Sequence, residues 1–323
     1  MKLIIQIPCF NEEQTLPITL KSLPKKVAGV DEVEVLVIDD GSTDKTIDVA
    51  RAHGVHHMVR LAKNKGLAEG FISGIDAALK IGADIIVNTD GDNQYCGDDI
   101  ERLIQPIVEG KAEFVIGDRK VNGVAHFSFV KKKLQVLGSW VVRQLSGTQI
   151  PDVTSGFRAM SREAALRMNV VSRYTYTLET IIQAGKKNIA LDHVPVRTNM
   201  KLRESRLFSN VWAYIKKSMS TMIRIYTMYE PLKMFLYIGS LFFGGGVFIG
   251  LRFLYFYFFI DRGEGHIQSL ILAAVLLLLG FQVFMIGLLA DVIGANRSLI
   301  EDALYRIKKM ELKPGKDSSD KEP

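Results

Sequence analysis

Short apolar runs alternate with polar stretches over roughly the first 200 residues, whereas residues 234–290 are almost free of charge. Apolar runs bounded by turn residues read as strands at 3–8, 33–39, 57–61, 84–88 and 114–117. Between them, apolar positions recur at helical spacing over 12–23, 43–53, 67–81 and 98–109. Strands alternating with helices of this length predict βαβ units and a parallel sheet. Ligands of such sheets sit at the carboxyl ends of the strands. Three polar clusters fall there: Pro8-Cys9-Phe10-Asn11-Glu12, Asp39-Asp40-Gly41-Ser42 and Asp90-Gly91-Asp92.

The pattern changes further along. Residues 119–200 are mixed, with a helical stretch at 131–145, another at 177–185 and a strand near 189–196. A basic segment, 197–206, follows. Residues 207–230 set Trp212, Tyr214, Ile215, Met219, Met222, Ile223 and Tyr226 among Lys and Arg, which suits a helix lying at a membrane interface. Residues 234–260 carry one charged residue, Arg252, and 267–290 carry none, with Gln268 near the start. Each exceeds the ~20 helical residues that cross a hydrocarbon core. The expected organisation is therefore a catalytic domain at 1–206, a juxtamembrane helix at 207–233, a two-helix hairpin at 234–290, and a cytoplasmic helix with a disordered tail at 291–323.

Composition then finds its place in this layout. The chain of 323 residues is 48% hydrophobic, and its mean hydropathy of +0.14 is explained by the two spans. Net charge is +6, which alone suits nucleic acid, a membrane surface or phosphorylated substrates. Location decides: Lys216, Lys217, Arg224 and Lys233 precede the spans, and Arg297, Arg306, Lys308 and Lys309 follow them. The positive-inside rule puts both flanks, and so both termini, in the cytoplasm of an integral membrane protein, with the connector 261–266 outside. The basic residues do not interleave with aromatics on a groove, so nucleic acid is not an expected partner. Cys9 and Cys96 show neither metal spacing nor a disulfide framework. Lys2 leads directly into a strand pattern, which is not the plan of a secretory leader.

The clusters carry the candidate chemistry. Asp90 and Asp92, with Gln94, present oxygen donors suited to Mg²⁺ or Mn²⁺, and such a cation can hold a diphosphate. Turns favour Asp and Gly in any case, but the position after an apolar strand, with two companion clusters, points to a site. Ser42 or Thr43 could cap the next helix and Asp44 could complement its dipole, which leaves Asp39 and Asp40 to accept from a ribose hydroxyl or a base N–H. Glu12 is either a third carboxylate of this pocket or a first-turn acid. No G-x-G-x-x-G or G-x-x-x-x-G-K-[ST] motif is present, which disfavours dinucleotide dehydrogenases and P-loop enzymes.

PCFNEE, DDGSTDKT, Asn64-Lys65-Gly66, TDGDNQ, Gly117-Asp118-Arg119 and DVTSGFR at 152–158 occur in this order. Together they resemble glycosyltransferase family 2, and specifically its polyprenyl-phosphate branch, which includes dolichol-phosphate mannose synthase. The resemblance covers residues 1 to about 206, and the spans resemble the membrane-anchored prokaryotic members, which implies a plasma-membrane location. It implies an α/β, Rossmann-like GT-A fold and an inverting transfer from a nucleotide sugar to polyprenyl phosphate. Carried over residue by residue, Pro8, Phe10, Glu12, Asp39, Asp40, Asn64, Gly66 and Asp90 would bind the donor. Asp90, Asp92 and Gln94 would hold the metal. Arg119, Lys133, Arg203, Ser205 and Arg206 would meet the acceptor phosphate, with Asp92, Arg119, Arg203 and Arg206 as the catalytic set. Four positions depart from the family pattern: Phe10 for Tyr, Gly91 for Ala, Cys96 for Pro, and Asp118 for Ser, the last expected to pair with Arg119. The branch often assembles through its hairpins, so a homo-oligomer is an implied partner besides the bilayer, although no heptad pattern announces one.

A lipid phosphate is already anionic and needs no general base, so the task reduces to holding two anions together. Glu179 and Asp152 are the carboxylates whose catalytic role stays open. Rival readings are a hydroxyl-acceptor transferase of the same family and a non-catalytic membrane interaction module. A processive polysaccharide synthase is disfavoured because neither Trp140 nor Trp212 follows an Arg. A nucleotidyltransferase would want a Gly-rich, Lys-bearing first turn, which is missing. The sugar stays open among glucose, N-acetylglucosamine and mannose, carried on UDP or GDP.

Overall fold

The computed structural model describes residues 1–120, 138–144, 146–171, 176–200, 216, 219–220, 223–224, 226–260 and 267–312. The chain divides into two units, one comprising Met1–Ser218 with Leu304–Pro323, the other Met219–Ala303.

The first unit is built on strands β1 (Lys2–Cys9), β2 (Glu32–Asp39), β3 (His57–Arg60), β4 (Ile85–Asn88), β5 (Phe114–Asp118), β6 (Arg158–Ser161) and β7 (Leu191–Pro195). They form one sheet in the order β3-β2-β1-β4-β6-β5-β7. Strand β1 sits between β2 and β4, parallel to both, with Ile5 opposite Val35 on one side and Val87 on the other. The chain winds outward from β1 through β2 to β3, then restarts on the other side at β4. The switch point therefore lies between β1 and β4, where a doubly wound sheet opens a crevice at its carboxyl edge.

Local sequence explains the layers. Leu3, Ile4, Ile5 and Ile7 are fully buried because helices cover both faces of a parallel sheet, and such strands are apolar on both sides. Helices α1 (Leu16–Ser22), α2 (Thr46–Ala52), α3 (Leu67–Lys80) and α4 (Asp99–Val108) follow the first, second, third and fourth strands. Helix α3 turns Ala68, Phe71, Ile75, Ala78 and Leu79 inward, a stripe at helical spacing. Gly74 lets it close on the sheet: a Cβ there would lie 2.5 Å from Gln6 Oε1. Helices α5 (Arg162–Arg167) and α6 (Thr177–Lys186) also belong to this unit, and residues 138–144 are helical.

Two expectations are corrected. The sheet is mixed rather than wholly parallel, because β6 runs antiparallel between β4 and β5. Helices α1 and α2 start later than the periodicity suggests, at Leu16 and Thr46. In both cases the residues ahead of the helix are drawn into loop hydrogen bonds at the carboxyl edge.

The second unit contains helix α7 (Pro231–Phe259) and most of α8 (Ile267–Glu311), both long and apolar enough to cross a membrane. Their buried residues are Pro231, Gly239 and Gly246 on α7 and Ala273, Gly280 and Gly287 on α8. A Cβ on Gly280 would lie 2.7 Å from Phe243 N, one on Gly246 2.9 Å from Leu277, and one on Gly287 2.8 Å from Phe235. The contacts run in opposite senses along the two helices, so they pack antiparallel through small residues. Most of the amphipathic stretch 207–230, the connector 261–266 and the tail 313–323 lie outside the described residues.

Candidate active site

The loops after β1 and β2 are woven together. Asn11 N–H donates to Ser42 Oγ (2.9 Å), and Thr43 N–H donates back to Asn11 Oδ1 (2.8 Å). Glu12 N–H meets Thr46 Oγ1, Glu13 N–H meets Asp44, and Lys45 N–H meets Glu13. Asn11 adopts φ +55°, a left-handed conformation that Asn tolerates better than most residues. Ser42 therefore serves the neighbouring loop instead of capping a helix. Asp44 accepts from Thr46 as well as Glu13; these bonds outweigh burial and hold its carboxyl below the usual range. Glu12 is buried and accepts from Thr15 Oγ1 (2.6 Å). Phe10 is exposed at the rim.

The two adjacent carboxylates after β2 have separate tasks. Asp40 accepts the backbone N–H groups of Lys65 (2.7 Å) and Gly66 (2.8 Å), which binds the Asn64–Gly66 loop to the second cluster. Gly41, at φ +71°, permits this, since a Cβ would lie 2.5 Å from the Lys63 carbonyl carbon. Asp39 is fully buried and accepts Ser42 N–H on Oδ1 (2.9 Å). Its Oδ2 is buried without a hydrogen-bond partner, with Arg60 Nε 3.5 Å away. A buried acceptor in that state is costly unless a ligand donor meets it.

The loop after β4 carries Asp90, Asp92 and Gln94. Asp90 and Asp92 are half-buried, and Asp92 Oδ1 accepts the Gln94 N–H (3.1 Å). The 152–158 segment lies against it: a Cβ on Gly156 would be 3.0 Å from Asp90 Oδ1 and 3.2 Å from the Tyr176 hydroxyl. Gly156 is itself fixed, its N–H on the Tyr95 hydroxyl (2.9 Å) and its carbonyl on Asn88 Nδ2 (2.8 Å). Asn88 also donates to the Tyr176 hydroxyl (3.0 Å) and accepts from Gln6 Nε2 (2.9 Å). Tyr95 stacks on Phe157 and Tyr176 on Phe71, and burial pushes the Tyr95 phenol up to about 12. Among the described residues no cluster of three His, Cys, Asp or Glu is suited to a metal, so a cation here would rely on Asp90, Asp92 and neutral oxygens. That donor set fits Mg²⁺ or Mn²⁺, which accept few carboxylates and keep other oxygen ligands.

A third strand of chain closes the loop's far side. Residues Arg197 to Asn199 run beside it, with Tyr95 and Thr198 forming a β-bridge. Asn199 donates its side-chain amide to the carbonyls of Asn93 (3.0 Å) and Tyr95 (3.1 Å) and its N–H to that of Gln94 (2.9 Å). Arg197 is anchored on buried Asp99 (2.9 Å).

Arg119 is held by Asp152 through Nε (2.7 Å) and Nη2 (3.0 Å), and by Thr154. Contrary to the expectation above, Asp118 is not its partner; that carboxylate accepts the Lys120 N–H (2.8 Å). Burial would raise the Asp152 carboxyl, but the charge and hydrogen bonds of Arg119 outweigh it and hold the group low. Arg158 is fully buried and donates to the carbonyls of Ser155, Val153 and Thr177. Burial lowers this guanidinium to about 10. Glu179, also fully buried, accepts from Val171 N–H (3.1 Å) and Gln183 (3.3 Å). Lys133, Arg203, Ser205 and Arg206 lie outside the described residues. The sequence reading missed Gln6, Asn88, Tyr176 and Asn199. Gln6 and Asn88 left a faint signal, as polar residues in otherwise apolar strands.

Residues 4–167 match the family described as Glycosyl transferase family 2, and residues 230–295 match the GtrB C-terminal hairpin. The UDP-N-acetylglucosamine–dolichyl-phosphate N-acetylglucosaminyltransferase of Methanococcus voltae is 29% identical over 213 residues, covering 59% of this chain and 83% of the relative. The undecaprenyl-phosphate mannosyltransferase of Micrococcus luteus is 28% identical over 223 residues, covering 65% and 89%. Among solved structures, glucosyl-3-phosphoglycerate synthase of Mycobacterium tuberculosis, bound to Mn²⁺, UDP and phosphoglyceric acid, superposes with a TM-score of 0.53. That likeness covers 70% of this chain and 77% of the other at 19% identity, and it supports the fold alone.

Proposed function

Because the chain belongs to glycosyltransferase family 2 and has its GT-A fold, we propose that it transfers a hexose or N-acetylhexosamine from a UDP- or GDP-sugar to polyprenyl phosphate. The observation that carries this reading is the carboxyl edge at the switch point. There the Asp39 carboxylate keeps a buried oxygen that has no hydrogen bond, only the Arg60 guanidinium 3.5 Å away, in the same sheet as the strand that leads into Asp90 and Asp92. Asp39 would accept an N–H of the donor base, Phe10 and Pro8 would offer it an apolar wall, and Glu12 would face the ribose. Asp40 acts on the donor indirectly, through the Asn64–Gly66 loop it holds. Asp90, Asp92 and Gln94 would hold Mg²⁺ or Mn²⁺, which supplies positive charge to a leaving diphosphate.

The acceptor phosphate oxygen attacks the anomeric carbon on the face opposite the nucleoside diphosphate. The new carbon–oxygen bond forms as the bond to the diphosphate breaks, inverting the configuration, and the diphosphate leaves as an anion. No proton has to be removed from the nucleophile, which fits scaffold positions for Glu179 and an ion-paired Asp152. The Arg119–Asp152 pair is neutral overall, so it orients rather than attracts. Net positive charge for the lipid phosphate falls to Arg203 and Arg206, with Ser205 and Lys133 beside them. Thr198, bridged to Tyr95 just after the Asp90–Gln94 loop, lies five positions before Arg203 in the sequence. Two relatives that act on dolichyl or undecaprenyl phosphate support this acceptor. The two apolar helices support a membrane setting, and the basic flanks support a cytoplasmic catalytic unit.

The test is a matrix of donors and acceptors with the full chain in detergent. UDP-glucose, UDP-N-acetylglucosamine and GDP-mannose are each offered with undecaprenyl phosphate or undecaprenol, with Mg²⁺ or Mn²⁺. Sugar should pass to the phosphate alone. Transfer to the free alcohol instead would establish the hydroxyl-acceptor reading, and no transfer from any donor would favour a non-catalytic module.

A further inference from the structure

Resting on the reading above, we infer that Asn199 is a positioning residue that shapes the Asp90–Gln94 loop and ties it to the start of the acceptor segment. Three consecutive carbonyls of the loop, those of residues 93, 94 and 95, all turn to this one side chain and its backbone. Carbonyls of three successive residues rarely point to one partner in extended chain, because alternate residues face opposite ways. Here Asn93 breaks the alternation by adopting φ +57°. Asn visits that conformation more readily than most residues, and contacts around the loop fix it here. Asn199 makes three of the loop's contacts; Ser22 Oγ, 3.3 Å from Asn93 Oδ1, Thr19 Oγ1 on the Gly91 carbonyl and Asp92 Oδ1 on the Gln94 N–H make others.

The residue type matters. The amide of Asn199 brings two N–H donors, one for each flanking carbonyl. A carboxylate of the same shape has none and would face two acceptors. Asn93 lies between Asp92 and Gln94, so its backbone turn sets the direction in which both neighbours leave the loop. Met200 follows directly, and the proposed phosphate-binding residues Arg203, Ser205 and Arg206 come three to six positions later. One amide therefore fixes the proposed donor loop from a point four residues before Arg203 in the sequence. Loss of the amide should weaken donor and acceptor binding together and leave the remainder of the sheet intact.

The experiment measures binding separately from turnover. Calorimetry with Mn²⁺ plus UDP, and with Mn²⁺ plus GDP, gives a Kd for the full-length wild type and for Asn199→Ala, Asn199→Asp and Asn199→Ser. Thermal melting controls for folding. Kd should rise about tenfold in the Ala and Asp variants and by less in Ser, which keeps one donor. KM for undecaprenyl phosphate should rise in parallel. Arg197→Ala removes the neighbouring ion pair with Asp99 but keeps the backbone contacts, and should stay within about twofold. Wild-type Kd in Asn199→Asp, or an Arg197→Ala effect as large as that of Asn199→Ala, overturns the assignment to Asn199. Wild type that binds neither nucleotide overturns the underlying reading, and the inference with it. If Asn199→Ala melts early, Asn199→Ser decides: its Kd must lie between wild type and Asp.

Discussion

Buried positions in the two units are filled by opposite kinds of side chain. In the first unit, Leu3, Ile5, Ile7, Val37, Val87 and Phe157 form the core, and polar groups such as Asn88 and Arg158 are buried with partners. In the second, the buried residues of α7 and α8 are Gly, Ala and Pro, while Phe248, Leu251, Phe258, Leu278 and Leu289 face outward. Water drives large apolar groups inward, so the first arrangement is that of a chain folded in water. Lipid gives no such drive, and helices then associate through small residues that let backbones approach. The comparison teaches that the two units pack by different rules, the second by the rule of helices in lipid, and that the first is the one able to bury and pair polar atoms.

The largest break in that comparison is at the site. Asp92→Asn keeps shape and removes a charge from a half-buried carboxylate. Transfer to undecaprenyl phosphate should fall about a thousandfold with little change in melting temperature. Full activity in that variant would sink the metal assignment.

The second break concerns buried polarity itself. Arg158→Met removes a guanidinium that serves three carbonyls and lies over the Phe114 and Tyr176 rings. Stranding those acceptors should cost about 3 kcal/mol, and thermal melting should fall by roughly 10 °C. An unchanged midpoint would show that this buried charge is not structural.

Legibility followed the same divide between pattern and partner. Strand and helix order in the first unit was readable from periodicity, because parallel strands and amphipathic helices leave strong patterns. Strand β6 was not: Arg158-Ala159-Met160-Ser161 is short, begins with a charge and pairs antiparallel with β4. The carboxyl-edge clusters were readable as motifs, yet their wiring was not. Asp40 meets backbone amides 25 and 26 positions away, and Arg119 finds Asp152, 33 positions away, rather than adjacent Asp118. Such partners depend on tertiary placement. In the second unit the signal was present but unread, since Gly239 and Gly246, and likewise Ala273, Gly280 and Gly287, are spaced by seven.

That spacing sharpens the comparison at the hairpin. Gly280→Leu places a side chain against Phe243 N, whereas nothing lies within 4 Å of a Cβ at Gly244. Melting of the full chain in detergent should show a loss of about 2 kcal/mol for the first and little for Gly244→Leu. Mn²⁺–nucleotide affinity should be unchanged in both. Equal damage from the two would mean that the contact is not confined to the buried glycines.

The smallest effect tests whether burial or pairing governs the polar groups of the first unit. Asp152 is 2% exposed, so burial alone would raise its pKa above that of the unfolded chain. Arg119 reverses this, and the folded carboxyl titrates below its ordinary value. With the folded pKa depressed, the unfolded state binds more protons as acid is added. Its contribution to stability is then complete above the ordinary carboxylate range and disappears as pH falls through the depressed value. Arg119→Gln removes the charge and leaves burial in command. The folded carboxyl should then titrate above its ordinary value, and the native state becomes the better proton binder. The sign of the pH dependence from this group inverts: acidification into the range above pH 4 should now favour folding. Other carboxylates contribute equally to both proteins, so the quantity to read is the difference in thermal midpoint between wild type and Arg119→Gln as a function of pH. That difference should shrink on going from pH 7 to pH 4 by the equivalent of about 1 kcal/mol. A gap that is constant with pH would show that Arg119 does not control the ionisation of Asp152.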